Sequence, residues 1–207
     1  MYNIVKYGLI LVLTMFVSAT TIASEQERQA EEFVSSIGVS VMSSLSDTGL
    51  TADDRKSMLQ KMLIEKFDLE KIGRFVLGSY RNDPTKVQMD EFTKVFQSYV
   101  IALYTTQFKY YSGEEFIIRR SMNRNKNGVI LVYADIVSPG KTTLNLAFRV
   151  ITKEREFRVV DVGIQGISML ITLRSDFTGF LSQHDGDIDK LINELTRKVN
   201  MVSRRKQ

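Results

Sequence analysis

The feature that most constrains the fold is a change of hydrophobic period within the segment Phe157–Leu181. Its first half alternates with a period of two, which is typical of a half-buried strand. Its second half places apolar residues at steps of three and four, which form one face of a helix. Gly163 and Gly166 lie between the halves, and Ser168 is placed to cap the first helical turn. We therefore expect a strand that turns sharply into a helix, with both presenting apolar surface to the same neighbour.

The remaining chain predicts helices before the strands and helices after them. Helical periodicity extends over residues 25–112. Strands joined by short polar turns follow over residues 114–164, which indicates an antiparallel meander. Helices return over residues 166–203. The predicted class is α+β, with an antiparallel sheet of about four strands, helices packed on one face and a helical N-terminal portion.

The longest predicted helix carries an aromatic stripe that includes Phe92, Phe96 and Tyr99 on one side. A small antiparallel sheet normally needs less aromatic surface than this to complete its core. The stripe can be ordinary core, or it can contribute surface to a site for an apolar ligand. The pattern alone leaves both interpretations open.

The first residues have the three parts of a secretory signal peptide. Lys6 precedes the short apolar run Tyr7–Val17, and small residues follow up to Ala23. The run is shorter than the roughly 20 apolar residues that cross a membrane. We expect residues 1–23 to be removed and residues 24–207 to form one domain beyond the inner membrane. The chain has no cysteine, which excludes disulfides, thiolate nucleophiles and a lipoprotein anchor.

Composition excludes several classes of function. The formal net charge of +4 is too small and too evenly spread for a nucleic-acid-binding protein. His184 is the only histidine and lies in a polar turn, and no nucleophile-elbow pattern is present. Asp185–Asp189 lacks the later glutamate of a calcium loop. We therefore expect neither a metal site nor a cofactor.

One enzymatic interpretation stays open, which is proton transfer by a buried carboxylate. Cone-shaped α+β folds host isomerases in which an aspartate in an apolar pocket has a raised pKa and acts as a base. Asp161 and Asp135 are the candidates. Strand alternation places each of them opposite the most apolar face of its strand, which argues against this role.

Four segments carry a family resemblance: Phe67–Gly78, Phe92–Glu114, Val160–Phe177 and Asp185–Leu195. They resemble the MlaC family of periplasmic phospholipid-binding proteins. Val-Asp-Val followed by Gly-Ile-Ser-Met in Val160–Phe177 is the most specific match, and the family often has tryptophan where Phe157 stands. The resemblance covers nearly the whole chain after the predicted signal peptide.

The resemblance implies a periplasmic carrier without enzymatic activity. Such a carrier exchanges phospholipid between an outer-membrane lipoprotein–porin complex and an inner-membrane ABC transporter complex, and so maintains outer-membrane lipid asymmetry. It also implies a pocket between sheet and helices that encloses the acyl chains and leaves the headgroup in solvent. A carrier of another apolar ligand, such as a hopanoid, is the remaining alternative.

We combine this expectation with the apolar faces to predict a lipid-binding site. Arg174 is the candidate for the headgroup, because a guanidinium near the mouth attracts phosphate, and the alternative is an ion pair with a nearby acidic side chain. Each lining position can also be ordinary core. The predicted lining residues are Phe75, Phe96, Tyr99, Leu103, Val132, Ile136, Leu146, Phe148, Val162, Ile164, Ile167, Leu170 and Ile171.

Overall fold

The structure, a computed structural model, describes residues 25–105, 113–124, 128–138 and 144–204. The predicted signal peptide over residues 1–23 lies outside this part of the chain, as does the end of the longest predicted helix over residues 106–112.

Four α-helices and one short 3-10 helix in the described residues precede the sheet. They are α1 (25–46), α2 (Ala52–Lys66), α3 (Leu69–Val76), the 3-10 helix (Gly78–Asn82) and α4 (Lys86–Thr105). Thr51 starts α2 with a reciprocal capping box, in which its hydroxyl accepts from the Asp54 N–H at 3.1 Å and the Asp54 carboxylate accepts from the Thr51 N–H at 2.9 Å. Asp68 caps α3 in a similar way by accepting from the Lys71 N–H.

The sheet is an antiparallel meander in the order β1-β2-β3-β4-β5. Its strands are β1 (Glu115–Arg124), β2 (Val129–Val137), β3 (Leu144–Lys153), β4 (Glu156–Ile164) and β5 (Ile167–Ser168). The sequence predicted about four strands, and β5 is the addition. The left-handed backbone at Gln165 and Gly166, with φ of 50° and 81°, reverses the chain so that Ile167 pairs with Ile164.

Helix α1 lies across one face of the sheet, which we call the inner face. Ala30, Val34 and Ile37 of α1 are buried there against apolar residues of β2, β3 and β4. Gly38 lies directly against β1, and an added Cβ there would lie 2.1 Å from the ring of Phe116. A side chain at this position would collide with the ring, so the glycine allows α1 to lie close to β1 at this point.

Two helices complete the fold, α5 (Met169–Ser182) and α6 (Ile188–Arg204). The hydroxyl of Ser168 accepts from the Ile171 N–H at 3.1 Å, so the predicted N-cap of α5 is confirmed. Helix α5 packs against α3 and β4, and α6 packs along α4.

The apolar residues form two clusters. The helical cluster joins α2 to α6 and is centred on Phe92, Phe96 and Phe177. The sheet cluster joins α1 to the inner face of the sheet. Met62 and Phe67 contact both clusters. The α+β class, the antiparallel sheet and the helical N-terminal portion are confirmed. No helix of the described residues is both long and apolar enough to cross a membrane.

Candidate functional site

An incompletely covered apolar surface lies at one end of the inner face. Ile136 on β2 pairs with Leu144 on β3, and Ile164 on β4 pairs with Ile167 on β5. We call the whole set the apolar strip, and its residues are Ile136, Leu144, Val162, Ile164, Ile167 and Ile171. Its first four members are half-buried, whereas Ile167 is 61% exposed and Ile171 is 52% exposed. The strip therefore grades from packed core into solvent-facing apolar surface.

Five of the thirteen predicted lining residues belong to this strip: Ile136, Val162, Ile164, Ile167 and Ile171. Leu144 was not predicted as lining. The signal for it was present in the sequence, because it alternates with Leu146 and Phe148 on the same face of β3.

Three further predicted residues lie deeper on the inner face. Val132 is completely buried, and Leu146 and Phe148 are nearly so. Phe148 also contacts the ring of Phe116, with 6.1 Å between ring centres. These side chains form the floor beneath α1 and are not part of the open surface.

The aromatic stripe of α4 belongs to the helical cluster and not to the sheet. Phe96 is completely buried and lies 5.7 Å from the ring of Phe92 and 6.1 Å from that of Phe177 on α5. Tyr99 is half-buried against the same Phe177. The stripe is thus used in helix–helix packing. Leu103 is half-buried near the end of α4, and Leu170 packs on the edge of the helical cluster.

Arg174 and Phe75, both predicted site residues, are brought together. The guanidinium carbon of Arg174 lies 4.7 Å from the centre of the Phe75 ring, a cation–π contact. Among the described residues, Arg174 has no acidic partner within ion-pair distance. It follows Ile171 by three residues on α5, so a cation without an acidic partner in this part of the chain lies about one helical turn from the apolar strip.

Asp161 holds the corner between β4 and α5. Its buried carboxylate accepts from the Leu170 N–H at 2.9 Å, from the Ser168 hydroxyl at 2.6 Å and from Arg149 at 2.5 Å. It is 4% exposed. The carboxylate therefore has three hydrogen-bond donors, one of them a guanidinium, and these contacts fix the N-terminus of α5.

Asp135, the other candidate base, lies in a polar environment. The Asn145 side chain and the Arg119 guanidinium donate to its carboxylate at 2.8 and 2.7 Å. These contacts hold the pKa of Asp135 below its ordinary value, whereas a general base of the proposed isomerase type requires a raised pKa. Neither aspartate lies in the apolar pocket that the enzymatic interpretation requires.

Comparison with known proteins identifies a family. The family model described as MlaC protein matches residues 36–197. The chain is 24% identical over 148 residues to the intermembrane phospholipid transport system binding protein MlaC of Haemophilus influenzae. The aligned region covers 70% of this chain and 68% of that protein.

A solved structure supports the same fold. The phospholipid-binding protein of Ralstonia solanacearum, determined in complex with a phospholipid, matches with a TM-score of 0.75 at 16% sequence identity. The match covers 84% of this chain and 98% of that one. At this identity the similarity concerns the fold.

Proposed function

This chain belongs to the MlaC family, and we propose that it is a periplasmic phospholipid carrier that shields acyl chains on the apolar strip. Residues 1–23 would direct export and be removed, and residues 24–207 would form the carrier. The proposed partners are an outer-membrane lipoprotein–porin complex and an inner-membrane ABC transporter complex. Exchange between them would maintain outer-membrane lipid asymmetry.

The observation that carries this proposal is the gradation of burial along the apolar strip. Ile164 is half-buried in the sheet cluster, whereas its partner Ile167 is largely exposed. A contiguous apolar patch that remains exposed next to a core is a candidate surface for a ligand or partner. In this proposal the surface continues from the sheet onto α5 through Ile171, and its two walls would meet at the corner that Asp161 holds.

The energetics of lipid transfer explain why such a surface is needed. At about 0.8 kcal/mol per CH₂, two acyl chains of some thirty methylenes carry roughly 24 kcal/mol of transfer cost into water. A carrier needs only to match the apolarity of a bilayer, so that small affinity differences at its partners decide the direction of transfer.

Arg174 is the proposed contact for the headgroup phosphate. A guanidinium presents planar donors that match phosphate oxygens, and the Phe75 ring supports it from one side. Exposed Ile167 and Ile171 would leave the headgroup end of a bound lipid near solvent. This mode of binding requires no covalent chemistry, in line with the structural roles of Asp161 and Asp135.

The test is lipid extraction from the protein purified without detergent, followed by mass spectrometry. We expect phospholipid in a stoichiometric amount. Recovery of a hopanoid or another polycyclic lipid at that level would show that this lipid is the cargo and that phospholipid is not. Recovery of no stoichiometric lipid would reject the carrier function. Turnover of a ketosteroid or epoxide that Asp161→Asn abolishes would instead assign an isomerase.

A further inference from the structure

The free edge of β1 differs between its two halves. β1 is the first strand of the sheet and pairs only with β2 among the described strands. The second half is protected, because a bulge between Ile118 and Arg120 interrupts the register and the Glu27 carboxylate accepts from the Asn123 N–H at 2.6 Å. Bulges and covering side chains are the usual means of blocking an edge strand.

Within the described part of the chain, the first half, Glu115–Ile118, has no such protection. No hydrogen bond from another described element reaches its outward backbone groups. Its register with β2 is regular over these four residues. A regular, uncovered stretch of edge strand is a template for pairing with another strand.

A groove of about 440 Å³ runs beside this open half. One wall is the second half of α1, and the other is the start of β1. Its lining residues are Val39, Met42, Ser43, Ser46, Glu114, Glu115, Phe116 and Ile117. Phe116 and Ile117 point to opposite faces of the sheet, so a groove that touches both runs along the edge of the strand. Val39, which lies on the α1 wall of the groove, is 60% exposed.

The ionisable side chains that line the groove are both glutamates. Glu115 is exposed and has no ion-pair partner in the described part of the chain. The end of α1 already has a cationic partner, because Arg55 donates to the Ser44 carbonyl. The exposed carboxylate of Glu115 is therefore the feature that favours a basic occupant over an acidic one.

We propose that this edge groove binds an extended segment of a partner protein, in which apolar and basic residues alternate, by addition as a further strand beside β1. Main-chain hydrogen bonds to Glu115–Ile118 supply affinity in this mode, and alternate side chains supply specificity. Apolar side chains of the segment contact Val39, Met42 and Phe116 on the inner face, and its basic side chains face Glu115 on the opposite face. The groove adjoins the apolar strip, because Phe116 pairs with Ile136, but the backbone groups of Glu115–Ile118 that would pair with the segment lie outside the strip.

The test uses a short synthetic peptide of alternating lysine and valine, with a peptide of alternating glutamate and valine for comparison. Binding is measured by calorimetry, and backbone pairing is measured by amide hydrogen exchange. We expect the basic peptide alone to bind and to slow exchange within Glu115–Ile118. Absence of binding, equal binding of both peptides, or binding without slowed exchange would each overturn the proposal.

Two pairs of variants locate the site. Val39→Gln removes an apolar contact without adding charge and should weaken binding by about tenfold, the change expected on loss of an interface anchor. Val87→Gln, at a 75% exposed position on α4, is its control and should have no effect. Glu115→Lys should weaken binding, while Glu65→Lys on α2 should not. Equal effects of Glu115→Lys and Glu65→Lys would indicate long-range attraction and reject the groove.

Discussion

The carboxylate of Asp161 accepts a hydrogen bond from the backbone N–H of Leu170 at 2.9 Å. This contact joins the end of a strand to the first turn of the next helix across the Gln165–Gly166 turn. It fixes the relative direction of the two elements that carry Ile164 and Ile171. The geometry of the apolar strip thus depends on a polar contact outside it.

Asp161→Asn should lower the free energy of unfolding by about 1–3 kcal/mol, because buried donors at the α5 N-terminus lose a charged acceptor. Urea denaturation measures this change. We also expect less bound lipid in the folded protein, since the α5 wall is no longer fixed. Asp135→Asn, on a more exposed polar network, is the comparison. If it removed as much lipid as Asp161→Asn, the corner would have no special role in positioning.

Ile167→Glu should remove most co-purifying lipid while leaving the protein folded. The wild-type side chain is 61% exposed, so the substitution should change stability by only about 0.5 kcal/mol. A carboxylate on the strip would be desolvated by an acyl chain, which is strongly unfavourable. Mass spectrometry of extracts and thermal denaturation check the two halves of this prediction.

Val87→Glu provides the control for Ile167→Glu, because Val87 is an exposed aliphatic residue on α4 away from the strip. It should retain a wild-type amount of lipid. Unfolding of Ile167→Glu would mean that this position is part of the core. Full lipid loading of the folded variant would mean that lipid binds elsewhere on the protein.

Phe96→Ala should act on stability and not on cargo contacts. The ring is completely buried among Phe92 and Phe177, and its removal leaves a cavity that costs about 3–5 kcal/mol. Denaturation in urea measures the loss. Lipid extracted per folded molecule should stay near the wild-type value. A large loss of lipid without destabilisation would show that Phe96 is lining.

Arg174→Gln should weaken binding of an anionic phospholipid by about tenfold, since a hydrogen bond to a charged group contributes roughly 1.5 kcal/mol or more. Transfer from phosphatidylglycerol vesicles to purified protein measures the effect. Arg174→Lys keeps the charge and should restore part of the affinity. Arg74→Gln, at an exposed arginine paired with Glu70, should leave it unchanged. Equal losses of lipid affinity for Arg174→Gln and Arg74→Gln would mean that Arg174 contributes only through the net charge of the protein and does not contact the headgroup.

Asp135 should make the stability of the sheet sensitive to acid. Hydrogen bonds from Asn145 and Arg119 lower its pKa below the ordinary value of 3.8. The contribution is therefore present above the unfolded-state pKa and is lost as the pH falls through the lower folded-state pKa. Asp135→Asn should be less stable than wild type at pH 7 and should converge with it in strong acid. A constant difference in free energy of unfolding across pH would contradict this.

The hydrophobic period predicted the elements well because burial repeats regularly along them. The alternation before Gly163 and the helical steps after Ser168 correspond to β4 and α5. β5 was missed because two residues are too short to show any period, and its pairing depends on the positive φ values at Gln165 and Gly166.

The partners of each apolar face were less predictable, because period shows that a face is buried and not what buries it. The stripe with Phe96 was assigned to the same site as Phe148, yet the two residues belong to different clusters. The exposure of Ile167 on the two-residue strand β5 could be seen only from the structure. The resemblance to a family supplied the cargo class, which no residue pattern specified.

The order of the strands bears on how the chain assembles. Each strand pairs with its neighbour in sequence, so every pairing closes a short loop, and such local hairpins form within about 1–10 µs. Helix α1 must instead meet residues far along the chain, since Glu27 and Asn123 are 96 positions apart. The sheet can therefore form before α1 covers its inner face, although α1 is synthesised first. During that interval the apolar face is open to association with other chains, so the time that α1 needs to dock sets the period of aggregation risk.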